Sequence, residues 1–135
     1  MTFELREHTA DIAVEASGET LSDVFEAVAS GLSAAHCESI PETGDRFSMT
    51  VRAESKEALL FDYLDELIYQ RDVRDVLPVD HHASIDEDGT LTLEASARGV
   101  PVEDIEAREI KAVTYSEMAL ERESSEWRAY VVFDV

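Results

Sequence analysis

Two aspartates and a chain end frame the chemistry this sequence could do. Asp11 stands in the run EHTADI, at the head of the alternating apolar residues Ile12, Val14 and Ala16, and Asp134 follows the apolar stretch Ala129 to Phe133, one residue before Val135. An unpartnered carboxylate entering a partly buried strand is costly, so Asp11 is either a turn residue facing water or a ligand. If the early strand and the last one are antiparallel neighbours, their opposite ends meet. Asp11, Asp134 and the terminal carboxylate of Val135 would then converge. Two like charges about 4 Å apart repel by roughly 1 kcal/mol in water and about 4 kcal/mol at a protein-like dielectric, so such a cluster wants a cation. All-oxygen ligation suits a divalent ion such as Ca²⁺, Mg²⁺ or Mn²⁺ rather than zinc. With 31 acidic residues in a short chain, solvent-exposed acids that cluster by chance are the alternative reading.

Lys111 is the second candidate. Only two of the 11 basic residues are lysines, Lys56 and Lys111, and the latter falls in IKAVTY, which reads as a strand. Its ammonium could pair with the carboxylates or hold a phosphate as a point charge; the plainer reading is a lysine that snorkels from a sheet edge to water. His81 and His82 are adjacent, and neighbours on a strand face opposite ways, which argues against a shared zinc ion. The chain shows no nucleophile elbow, no context for an activated cysteine and no Gly-rich phosphate loop, so no catalytic residue is assigned. Cys37 stands alone and reads as a small buried apolar residue.

The elements that must position these residues follow from periodicity. Phe3 to Arg6 and Ile12 to Ala16 alternate as strands, joined by EHTAD. Leu21, Val24, Phe25, Val28, Leu32 and Ala35 recur at helical spacing, with Thr20 and Asp23 as a starting cap. Phe47, Met49 and Val51 form a third strand. Ser55 caps a second helix in which Leu60, Leu64, Leu67, Ile68 and Arg71 share a face, fraying near Asp72 to Asp75. Val76 to Ile85 is extended, DEDG at 86–89 is a hairpin turn, and Leu91, Leu93 and Ala95 continue beyond it. Residues 99–109 connect to a strand from Ile110 to Tyr115. A further segment, Met118 to Leu120, turns at RESSE into the last strand, Trp127 to Phe133. This order, lacking strict strand-helix alternation, predicts a single α+β domain over residues 1–135: two layers, a mostly antiparallel sheet packed against two main helices, with the last strand central.

Composition narrows the partners. A formal net charge of -20, carried over a sequence that is 44% apolar, describes a folded acidic protein rather than a disordered one. Self-repulsion of that size is nearly removed at molar salt, where the screening length falls to about 3 Å, which points to a halophile cytosol. The alternative is a charge that serves a basic partner. The same surface repels a phosphate backbone and has no basic stripe, so tight direct binding of nucleic acid is not expected. No apolar run is long enough to span a bilayer, and the N-terminus lacks the pattern of a secretion signal, so a cytoplasmic location is expected.

Taken together, FELREHTADIAVEASGETLSDVFEAVASGL, LLFDYLDELIY at 59–69, IKAVTYSEM at 110–118 and WRAYVVFDV at the end resemble the archease family, in order and across essentially the whole chain. HTAD, KAVTY and the penultimate aspartate form the specific set. The resemblance implies a small α+β accessory protein of tRNA splicing that activates an RtcB-type RNA ligase by promoting metal-dependent guanylylation and multiple turnover. GTP would enter only through the partner ligase. It also implies metal ligation by Asp11, Asp134 and the carboxylate of Val135, and a functional role for Lys111; His8, in the HTAD run, counts as a further functional position. One departure is Ser116, where archeases commonly carry histidine. Two other readings stay open: a chaperone-like modulator of an RNA-modifying enzyme such as a methyltransferase, and a small metal-dependent phosphohydrolase. Whether the chain forms a homodimer also stays open.

Overall fold

The structure, a computed structural model, describes residues 2–8 and 11–135, with the side chains of 6–8 outside that description. The elements run β1 (Thr2–His8), β2 (Asp11–Gly18), α1 (Leu21–His36), β3 (Asp45–Ala53), α2 (Lys56–Arg74), β4 (Val76–Asp86), β5 (Leu91–Pro101), a short 3-10 turn (Val102–Asp104), β6 (Ala112–Glu123) and β7 (Glu126–Asp134). The expected α+β architecture is present. Its strands divide between two antiparallel sheets: one of four in the order β1-β2-β7-β6 and one of three in the order β3-β5-β4. As expected, β7 is central, between β2 and β6.

Helix α1 begins where Thr20 Oγ1 accepts the N–H of Asp23 at 3.0 Å, satisfying a donor the helix leaves open. Its apolar stripe, Leu21, Val24, Phe25, Val28 and Leu32, is buried. The helix touches β2 on one side and β4 on the other, so it bridges the two sheets. Against β2 the approach is so close that a Cβ at Gly31 would stand 2.6 Å from Val14 Cγ1. Against β4, side chains of the helix cover an exposed strand edge: Glu26 accepts the N–H of Ala83 at 2.7 Å, and Ser22 accepts that of Ile85 at 3.3 Å. An edge treated in this way has fewer free donors for a foreign strand.

Helix α2 opens with Ser55 Oγ accepting the N–H of Ala58 at 3.1 Å. Leu60, Leu64, Leu67 and Ile68 are buried as the spacing predicts, and Tyr63 stacks on Phe25 with ring centres 6.1 Å apart. Residues Asp72 to Arg74, where fraying is expected, are regular helix. The helix continues through Arg74 and stops at Asp75, which adopts the left-handed conformation (φ 53°) of a helix terminus. Arg71 and Arg74 lie in the last turn, where cations suit the helix dipole.

Two further expectations need correcting. The segments expected as separate strands, Ile110 to Tyr115 and Met118 to Leu120, fall from Ala112 onward in one strand, β6, whose pairing with β7 shifts register between Thr114 and Ala119 around Glu117 at φ 61°. That strand begins at Ala112, so Lys111 precedes it rather than lying within it. The apolar residues of β2 and β7 fix their mutual register. Val14 pairs with Val131 and both are fully buried, as is Phe133. A one-residue slip would turn these side chains to the other face, at roughly 1.5–3 kcal/mol for each one exposed.

Candidate functional site

The register that buries Val14 against Val131 carries Asp11 to the position directly opposite Asp134. Side chains of directly paired residues share a face, with Cβ atoms roughly 4.5–5.5 Å apart. By the alternation of strands, this is the face turned away from the Val14–Val131 core. Asp11 is half-buried, Asp134 is exposed, and Val135, whose carboxylate is expected as a third ligand, follows at 37% exposure. Like charges directly opposite one another destabilise a sheet unless something offsets them.

Lys111 is brought to the same strand end through its backbone. Its N–H donates to the carbonyl of Asp134 at 2.8 Å, and the next residue, Ala112, is the cross-strand partner of Asp134. Its side chain is exposed, as expected of a lysine just outside a strand. His8 pairs with Asp11 in the backbone register; its side chain lies outside the described residues, as do Thr9 and Ala10 of the HTAD run. One row further along the same face come Ala13, Val132 and Thr114. The Oγ1 of Thr114 is buried with no hydrogen-bond partner among the described residues, a polar atom the sequence did not single out.

The donor chemistry fits a hard divalent ion: two aspartates and a terminal carboxylate are all-oxygen ligands. Among the described residues no three His, Cys, Asp or Glu side chains converge on one point. The two aspartates would therefore need the terminal carboxylate, water or a partner's phosphate to complete a shell of six or more oxygens. The constellation is open to the surface. A groove of about 400 Å³ on this face is lined by Thr2, Glu4, Glu15, Ser17, Arg128 and Tyr130, further along the strands than the Asp11–Asp134 row.

The histidines divide as the strand geometry requires. Between Val79 and His82 the β4–β5 register shifts, with Asp80 at φ 53°, and His81 is buried while His82 is exposed. Ser33 Oγ donates to the carbonyl of Pro78 at 2.7 Å and sits 2.7 Å from His81 Nε2. This serine-histidine pair has beside it a cavity of only about 10 Å³, too small for a substrate. Burial lowers the His81 pKa to about 4. His36 is lowered to about 4 as well, mainly by burial. Cys37 is buried in a small apolar cluster with Leu77, Val79 and Val100, the role expected of it.

With this geometry in hand, comparison with known proteins gives a consistent result. Residues 3–135 match the model of the Archease protein family (MTH1598/TM1083). The chain is similar to the protein archease of Pyrococcus furiosus, 34% identical over 140 residues and covering 98% of both chains. It is also similar to that of Methanosarcina acetivorans, 35% identical over 143 residues with 98% of this chain and 95% of the relative covered. Among solved structures, the solution structure of Methanobacterium thermoautotrophicum protein 1598 matches with a TM-score of 0.87 at 30% identity, covering 98% of each chain. The crystal structure of a Thermotoga maritima archease, described as a possible chaperone, matches with a TM-score of 0.66 at 26% identity over 96% of this chain and 94% of that one.

Proposed function

The chain belongs to the archease family, and from that premise and the meeting of its strand ends we propose that it is an accessory protein of tRNA splicing, acting on an RtcB-type RNA ligase. It promotes guanylylation of the ligase and its repeated turnover, and catalysis stays with the partner. The observation that carries this reading is the cross-strand pairing of Asp11 with Asp134, beside which Lys111 is held by a backbone hydrogen bond.

Asp11, Asp134 and the carboxylate of Val135 would hold a divalent ion. Such an ion supplies positive charge for phosphate oxygens whose negative charge grows during phosphoryl or nucleotidyl transfer. The chain's own contribution is placement. Asp11 and Asp134 sit on paired strands of a sheet whose register is fixed by its core, and Lys111 offers an ammonium as a point charge for a phosphate. The acidic body, at a net charge of -20, favours docking on a basic protein surface and opposes docking on bare RNA. A cytoplasmic setting follows from the partner.

The experiment is a guanylylation assay with the cognate ligase at molar salt, with and without this protein, with chelator, and with the variants Asp11→Asn and Asp134→Asn. Acceleration by the parent protein, lost with chelator and reduced by roughly tenfold or more in either variant, is the expected result. Full acceleration by both variants would overturn the reading. Phosphate release by the isolated protein would replace it with a hydrolase. A chaperone-like role, the description given to the Thermotoga relative, would leave both variants active while the protein still prevents aggregation of its partner.

A further inference from the structure

The peptide group joining Ile110 to Lys111 is held from both sides. Its N–H, belonging to Lys111, donates to the carbonyl of Asp134 at 2.8 Å. Its carbonyl, belonging to Ile110, accepts from Arg71 Nη1 at 2.6 Å. The same Nη1 donates at 2.7 Å to Nε2 of His36, whose Nδ1 faces the carbonyl of Leu32 at 2.9 Å. Because a guanidinium is always a donor, Nε2 of His36 must be the bare nitrogen and Nδ1 must carry the proton that goes to Leu32. Asp72 holds the other edge of the guanidinium, with Oδ1 3.0 Å from Nε and from Nη2. The backbone of His36 contributes too, its carbonyl accepting the N–H of Arg108. The ends of both helices are thus tied to the irregular segment that delivers Lys111.

We propose that Arg71 is a positioning residue: by clamping the Ile110 carbonyl it fixes the peptide plane that aims Lys111 beside the Asp11–Asp134 pair. Lys111 itself lies outside regular structure, one residue before β6, so β6–β7 pairing alone does not set its orientation. Arg71 supplies the missing constraint from α2, a rigid element whose buried stripe is anchored in the core. A guanidinium suits the task because one planar group serves two acceptors while its far edge is neutralised by Asp72. The inference rests on the functional reading of Lys111 given above. The clamp itself is testable without the ligase.

The test compares Arg71→Gln with the parent protein by amide hydrogen exchange, and in ligase activation alone and combined with Lys111→Ala. Expected is a rise of roughly tenfold or more in exchange at the Lys111 amide, with Leu64 and Leu67 in the core of α2 unchanged. Activation should fall by roughly tenfold in Arg71→Gln, with no further fall when Lys111 is already Ala. If Arg71→Gln loosens α2 as a whole, Arg71→Lys becomes the deciding variant: it keeps the charge and a donor for Ile110, and should restore both the exchange protection and activation in part. Unchanged protection at the Lys111 amide, or equal losses with and without Lys111, overturns the proposal. Full activity of Lys111→Ala overturns the functional reading instead, and hydrogen exchange at the Lys111 amide then decides the clamp by itself.

Discussion

Asp11 and Asp134 acquire meaning only as a pair, and so does the histidine content of the interior. His36 and His81 are both buried with pKa values lowered to about 4, from the ordinary 6.5. Well above pH 6.5 neither histidine carries a proton in the folded or the unfolded chain. As pH falls from 6.5 to about 4 the unfolded chain takes up protons that the folded one refuses, so stability declines, and the decline levels off below 4. Each histidine accounts for at most roughly 3 kcal/mol of that loss. Thermal midpoints followed through Trp127 fluorescence at molar salt should drop between pH 7 and pH 4, and His81→Gln should shrink the drop by about half even though it lowers stability at pH 7. An undiminished drop in that variant would show that the acid sensitivity comes from elsewhere. At this scale the sequence pointed to the meeting of Asp11 with Asp134 but not to the partners of Arg71. Asp11, Asp134 and Lys111 stand out by type and position, whereas Arg71 reads only as one more residue on the inner face of α2. Its apolar neighbours Leu67 and Ile68 are the signal: a guanidinium on a buried stripe needs acceptors, and here they are His36 and Ile110.

At the scale of elements, local chemistry was the readable part. Thr20 and Ser55 start their helices as expected because a cap depends on residues within one turn. Ser55→Ala should cost about 1 kcal/mol in chemical denaturation, with no change in the slope of the transition. What the sequence could not convey was set by pairing at a distance. The division into two sheets depends on α1 crossing between β2 and β4. The irregular middle of β6 exists only relative to β7. Gly31 shows how tightly that crossing is made. Alanine there would gain roughly 0.5–1 kcal/mol of helix propensity. It would also place a Cβ 2.6 Å from Val14 Cγ1, and overpacking of that kind costs about 1–3 kcal/mol. The second effect is larger because Val14 is wedged in a buried strand and has no room to retreat. Gly31→Ala should therefore lower the denaturation midpoint, and a higher midpoint would mean that α1 sits further from β2 than described.

For the whole molecule, charge and topology act together. A net charge of -20 on 135 residues opposes compaction in dilute buffer, and screening relieves it. Raising KCl from about 0.1 M to 2 M should stabilise the fold by roughly 1–2 kcal/mol or more, a shift of about 4–8 °C in Tm by calorimetry. A midpoint that falls with salt would contradict a halophile setting. The topology gathers part of that acid at one end of the four-stranded sheet. There the first residue of β2 meets the last residue of β7, with Val135 one residue beyond. That β2 and β7 could be neighbours was legible from their alternating apolar faces. The meeting of Asp11 with Asp134 followed on that supposition, and the burial of Val14, Val131 and Phe133 fixes the residue-by-residue register. The most direct measurement is calorimetric titration of Ca²⁺ into the protein at molar KCl, where diffuse binding to surface acids is screened, repeated with Asp11→Asn and Asp134→Asn. One saturable site is expected, weakened by roughly tenfold or more in each variant. A site of unchanged affinity in both variants, or no saturable site in the parent protein, would contradict metal binding where the two strand ends meet.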